Sequence, residues 1–144
     1  ELKMSDVLKF HFEVDGKDFT SAGHASVMVK KNLRQLGLPP EKIRQVSIAM
    51  YEGEINMVIH AGGGEIDVEI SPENIKMTLS DKGPGIADVE KAMTEGFSTA
   101  SENIRSLGFG AGMGLPNMKK YSDEMDIQTE IGVGTTVTMK VYIQ

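Results

Sequence analysis

Three groups of residues in this 144-residue chain have types and spacings that could do chemistry. The first is Glu52, Asn56 and His60, four apart in a segment whose apolar pattern is helical. Four-residue steps bring polar heads nearly into line, one turn apart. Ile48, Ile55 and Ile59 mark an apolar stripe on the same segment, and Glu52 falls on that stripe. A carboxylate there is costly without a partner such as a metal ion or a hydrogen-bonded ligand. Glu52 and Asn56 could therefore face a pocket. The row also fits a solvated helix edge, the commoner setting for charged residues. His60 needs no ligand, because a helix C-terminus favours histidine through its dipole.

The second group is Asp81-Lys82-Gly83-Pro84-Gly85, directly after a strand pattern. Two glycines flanking a proline make a tight turn that a planar ligand can approach closely. The aspartate could accept a hydrogen bond from an exocyclic amine such as adenine's, although the same residues also make plain turns. The third is the run Leu107–Leu115, with Gly108, Gly110, Gly112 and Gly114 at alternate positions before a helix. Successive backbone N–H groups at a positive helix end form a phosphate cradle. A flexible hinge would suit scattered glycines better. Neither Gly-x4-Gly-Lys-Ser/Thr nor Gly-x-Gly-x-x-Gly occurs, so spacing excludes the two commonest phosphate-binding loops.

These groups need elements to position them. Leu8, Phe10, Phe12 and Val14 alternate as a half-buried strand does. A helix is expected from Thr20 to about Leu36, with Ala22, Val27, Val29 and Leu33 apolar, stopped by Gly37 and Pro39-Pro40. A second helix runs from about Glu41 to His60. Strands Glu65–Ile70 and Ile75–Leu79 follow, joined by a Ser71-Pro72-Glu73-Asn74 turn. Then come a short helix near Asp88–Thr94, a polar stretch from Gly96 to Gly110, and a helix from about Met113 to Ser122. A hairpin closes the chain: Met125–Ile131, the turn Gly132-Val133-Gly134, and Thr135–Ile143. Hairpin-linked alternating strands predict an α+β fold: a mostly antiparallel sheet with helices on one face, in two layers. No repeat or linker interrupts residues 5–144, which reads as one domain.

Composition narrows the chemistry. The chain has no cysteine, so neither disulfides nor thiolate metal sites hold it together. Its net charge of −6, with both signs interspersed, argues against direct nucleic-acid binding. Apolar runs are too short to span a bilayer, and no secretion signal opens the sequence, so a cytoplasmic location is expected. An acidic chain that binds an anion must supply local backbone donors or a cation.

In order, Glu52-x3-Asn56-x3-His60, Asp81-x-Gly83-x-Gly85 and a glycine-alternating run entering a helix resemble the GHKL ATPases. Their fold is the Bergerat two-layer α/β sandwich. The resemblance covers nearly the whole chain and is nearest to the stand-alone anti-sigma-factor serine/threonine protein kinases. It implies ATP and Mg²⁺ as cofactors. Asn56 would hold the metal and Asp81 the adenine amino group, with Gly83, Gly85 and Ile86 around the purine. Gly108, Gly110, Gly112, Met113, Gly114 and Leu115 would wrap the phosphates. Thr135 would lie near adenine, with Thr136 as an alternative, and Phe97-Ser98-Thr99 resembles the kinases' lid segment. Glu52 would act as the catalytic base.

The implied substrate is a STAS-type anti-anti-sigma protein, with a sigma factor as a further partner. Related kinases often form homodimers. An ATP-gated binding switch without chemistry, or a detached histidine-kinase catalytic domain, would share these motifs. His11 and His24 are poor phosphoacceptors for the latter. The chain departs from the family at Gly53 and Glu54, where small apolar or hydroxyl residues are usual. Arg105 is the only basic residue between Lys91 and Lys119, which leaves few side-chain cations for the phosphates.

Overall fold

A computed structural model describes residues 7–17, 22–93 and 114–143. Five strands form one sheet: β1 (Leu8–Asp15), β2 (Gly63–Ile70), β3 (Asn74–Ser80), β4 (Glu124–Glu130) and β5 (Gly134–Tyr142). Their order is β1-β2-β3-β5-β4, and every neighbouring pair is antiparallel. The helices are α1 (His24–Gln35), α2 (Pro40–Ala61), α3 (Val89–Ala92) and, after residues 94–113, α4 (Gly114–Lys120).

Alternation in each strand becomes rows across the sheet. Phe12, Ile66, Leu79, Val137 and Ile127 are successive cross-strand partners, and so are Phe10, Val68, Met77, Met139 and Met125. The β2, β3 and β5 members of both rows are buried, and the edge-strand members pack against them. The other face carries His11, Asp67, Thr78, Thr138 and Asp126. One apolar face and one polar face require helices on one side only, the expected two-layer arrangement.

Helix α2 lies at the centre of the helical layer, against α1, α4 and the sheet. Its core-facing stripe is Ile43, Val46, Met50, Gly53 and Met57, all buried. The sequence pattern had pointed instead to Ile48, Ile55 and Ile59. Ile55 is buried, but Ile48 and Ile59 are only half-buried, and at 3.6 residues per turn they sit roughly opposite Met50. A helix packed on several sides carries apolar residues all round, so periodicity alone picks the wrong stripe.

Helix α1 begins at His24; Thr20, the expected start, lies outside the described residues. Gly23 is left-handed at φ 98, which precludes helix there. Val27, expected on the apolar face, is 65% exposed, while Ala25, Ser26, Val29 and Leu33 are buried. In the closing hairpin the turn is Ile131-Gly132-Val133, and Gly134 already belongs to β5. The Gly132 N–H donates to the Pro84 carbonyl at 2.9 Å, tying this turn to the Asp81–Ile86 loop. Among the described residues no helix is long and apolar enough to cross a membrane.

Candidate functional site

A cleft enclosing about 460 Å³, its open mouth included, lies where α2, α4, the ends of β3 and β5 and the Asp81–Ile86 loop converge. Gly53, Asn56, Met57, His60 and Ala61 line it from α2. Leu79, Asp81, Pro84, Gly85 and Ile86 line a second side, Leu115 and Met118 a third, and Thr135 and Val137 the fourth. A largely apolar wall with a few convergent polar groups is the lining that suits a small-molecule ligand.

Asp81 is braced from two directions. Its Oδ1 accepts the Gly83 N–H at 2.9 Å and the Thr135 N–H at 3.1 Å. The Asp81 N–H in turn donates to the Thr135 carbonyl at 2.9 Å. Oδ2 has no hydrogen bond among the described residues, so a fixed carboxylate keeps one acceptor available at the cleft. The loop is pressed close to its surroundings. A Cβ on Gly83 would lie 2.8 Å from Ala61 Cα, and one on Gly85 would lie 2.6 Å from the Glu130 carbonyl oxygen. Gly85 also has φ +85. Both glycines are thus required by contacts with protein backbone.

Helix α2 supplies the other polar groups. Asn56 lines the cleft and faces the start of α4, its Oδ1 3.4 Å from where a Cβ on Gly114 would stand. His60 lines the cleft as well. Burial pushes its imidazole below the ordinary histidine value, so it brings no positive charge at neutral pH. Glu52 is half-buried at the edge of this group, with the Asn117 side chain of α4 close enough to favour its ionised form. Burial raises its carboxyl above the ordinary value, and Asn117 opposes that rise.

A model of the histidine kinase-like ATPase domain family matches residues 18–141. The chain belongs to this family. An anti-sigma F factor of Geobacillus sp. (strain WCH70) is 32% identical over 125 residues, covering 83% of this chain and 82% of that protein. The anti-sigma F factor of Caldanaerobacter subterraneus subsp. tengcongensis is 35% identical over 124 residues, 83% of each chain. The serine/threonine-protein kinase RsbT of Bacillus subtilis is 32% identical over 108 residues, 72% of this chain and 75% of RsbT. The fold is also similar to that in a structure of RsbU and RsbW domains from Mycobacterium tuberculosis. There the TM-score is 0.64 at 16% identity, over 93% of this chain and 32% of the other. A mycobacterial sensor histidine kinase, MprB, gives a TM-score of 0.53 at 15% identity, over 94% and 97% of the two chains.

In this histidine kinase-like ATPase domain, the cleft gathers Asn56, Asp81, Gly85, Ile86, Leu115 and Thr135 from the residues singled out in the sequence. Glu52 and Gly83 stand beside it. Thr136, the alternative to Thr135, points to the other sheet face, where its hydroxyl donates to Ser80 Oγ at 3.4 Å. Gly108, Gly110, Gly112, Met113, Arg105 and Phe97-Ser98-Thr99 lie outside the described residues.

Gly53 and Glu54 on α2, where the resemblance implies other residue types, have physical reasons. A Cβ on Gly53 would lie 2.4 Å from Leu79 Cδ2 and 3.1 Å from Met118 Cε, both cleft-lining side chains. Glycine lets β3 and α4 close onto α2. Gly53→Val should therefore destabilise the domain by about 1–3 kcal/mol through overpacking, read in urea denaturation, although valine is the better helix former.

Glu54 is only 2% exposed. Its carboxylate accepts the N–H groups of Gly23 (2.9 Å), Ala25 (3.2 Å) and Ser26 (3.0 Å). It also lies 3.0 Å from the Ser26 hydroxyl. Helix α1 has no side-chain cap of its own, so a carboxylate from α2 caps it.

Sequence reasoning also passed over Thr129 and Asn117. Thr129 is the cross-strand partner of Thr135, a relation the hairpin register could have revealed. Asn117 gave no signal of its own, being a polar residue in a short helix.

Proposed function

We propose that this domain binds ATP with Mg²⁺ in the cleft and phosphorylates a serine or threonine of a STAS-type anti-anti-sigma protein. A sigma factor would be a second, mutually exclusive partner. The braced Asp81 carboxylate, one oxygen held by two backbone N–H groups and the other available, carries this reading. Such an acceptor suits an exocyclic amine donor, and membership of an ATPase family makes adenine the natural source. Relatives named as anti-sigma F factors and as a serine/threonine kinase support the protein substrate.

The residues at the cleft fit the cofactor. Asn56 offers an amide oxygen, the hard ligand type that magnesium takes, and this ion needs few protein ligands because it keeps waters. When bound, the ion would supply charge neutralisation on the phosphate oxygens, a role the neutral His60 does not fill. Glu52 would take the proton from the attacking hydroxyl. The serine oxygen then bonds to the γ-phosphorus, the bond to the β–γ bridging oxygen breaks, and ADP leaves. Asn117 favours the ionised Glu52 carboxylate. The domain would act as one unit spanning residues 5–144.

Glu52→Gln should lower phosphoryl transfer to the partner by about a hundredfold or more while leaving ATP affinity unchanged. The measurements are a phosphorylation assay with labelled ATP and calorimetry. Full transfer by the variant would remove Glu52 from the mechanism. The pH profile gives a second readout. A general base works ionised, so transfer should rise with pH through a value above that of an ordinary glutamate. Asn117→Ala removes a group that favours the ionised form, so that rising limb should move to higher pH.

A further inference from the structure

Thr135 is buried beside the cleft, and its hydroxyl has one partner among the described residues, Thr129 Oγ1 at 2.8 Å. Thr129 also accepts the Ile86 N–H at 2.9 Å, and its Oγ1 lies 3.4 Å from the Gly134 carbonyl. One hydroxyl on β4 therefore touches both the adenine-side loop and the cleft-facing threonine of β5. The Ile86 N–H can only donate and the Gly134 carbonyl can only accept, which limits how the two hydroxyl protons can be arranged.

In one arrangement Thr135 donates to Thr129, and Thr129 donates to Gly134 over a distance long for an O–H···O bond. In the other, Thr129 donates to Thr135 at 2.8 Å, leaving the Thr135 proton for a ligand. The short bond exists in both. A ligand acceptor at the cleft replaces only the long contact, so it selects the second arrangement. Asp81 lies next door, its Oδ1 3.1 Å from the Thr135 N–H. The cleft then offers an acceptor and a donor side by side. That pair matches an amine flanked by a ring nitrogen, the pattern of adenine at its N1 and N7 edges.

We infer that Thr129 is a positioning residue for base recognition: it turns the Thr135 hydroxyl proton toward a ring nitrogen of the purine and clamps the Ile86 loop against it. This rests on the ATP reading above.

The test measures binding of ATP, 1-deaza-ATP and 7-deaza-ATP by calorimetry to the wild-type chain, Thr129→Val and Thr129→Ser. Thermal unfolding checks that each variant is folded. The wild-type chain should bind one deaza analogue about fivefold to tenfold more weakly than ATP, the value of one hydrogen bond. In Thr129→Val the Thr135 hydroxyl loses the partner that fixes its orientation, so that penalty should shrink through weakened ATP binding, with affinity for the analogue little changed. Thr129→Ser should restore the penalty. A merely structural loss would weaken ATP and analogue alike. If Thr129→Val keeps the wild-type penalty, the inference is overturned. If the wild-type chain binds both analogues as well as ATP, the ring contact is absent and the inference fails while the ATP reading stands. Absence of ATP binding by the wild-type chain would overturn both. Should Thr129→Val not fold, a Thr129→Ser variant lacking the penalty would overturn it.

Discussion

Asp81→Asn should weaken ATP binding about a hundredfold, the effect of losing a charged hydrogen bond and setting a donor against a donor. The reasoning follows from which oxygen is already used. Gly83 and Thr135 direct their N–H groups at Oδ1, so an asparagine keeps its carbonyl oxygen there and presents its NH₂ in place of Oδ2. That amine would face the adenine amine. The same change puts a donor opposite a purine that carries a carbonyl at this position, so the preference for ATP over GTP should shrink or reverse. Calorimetry with both nucleotides reads both effects. Because the inner bonds survive, the variant should remain folded. Unchanged ATP affinity would mean that Asp81 braces the loop and does nothing for the ligand.

The second large effect is on stability. Glu54→Ala leaves the buried N–H groups of Gly23, Ala25 and Ser26 without their acceptor. At about 1–3 kcal/mol for each buried donor left unmet, partly relieved by water, a loss of roughly 3–5 kcal/mol is expected. That lowers the melting temperature by roughly 10 °C or more. By helical geometry Glu54 lies on the far side of α2 from Asn56. The stabilisation that saturating ATP gives should therefore match the wild-type increment, measured at a temperature where the variant is folded. A variant as stable as wild type would show that α1 can satisfy its own N-terminus.

How much of this was legible depended on whether the cause was local. Strand alternation is local, and Ile66, Val68, Ile70 and Ile75, Met77, Leu79 fall on the buried face as their spacing predicts. Asn56 and Asp81, from the first two groups of reactive residue types, come together as well. With Thr135 they meet in one cleft, although strand and helix patterns alone do not fix that meeting. The α2 stripe was misjudged because the helix is packed on several sides, so apolar residues do not mark a single face. Gly53 and Glu54 were opaque for another reason. Their partners are Leu79 and Met118 in one case and the Gly23–Ser26 segment in the other, far away in sequence. The expected start at Thr20 also hid that Gly23, which has no capping side chain, precedes α1.

The measurement that tests the central claim most directly is an amide NMR titration of the chain with ATP and Mg²⁺. The largest shifts should fall at Asp81, Gly83, Ile86 and Thr135, with a second group around Asn56 and Gly114. The polar sheet face, with His11, Asp67 and Thr138, should stay unperturbed. Saturable shifts confined to that face, or none at the Asp81–Ile86 loop, would contradict the placement of the nucleotide in this cleft.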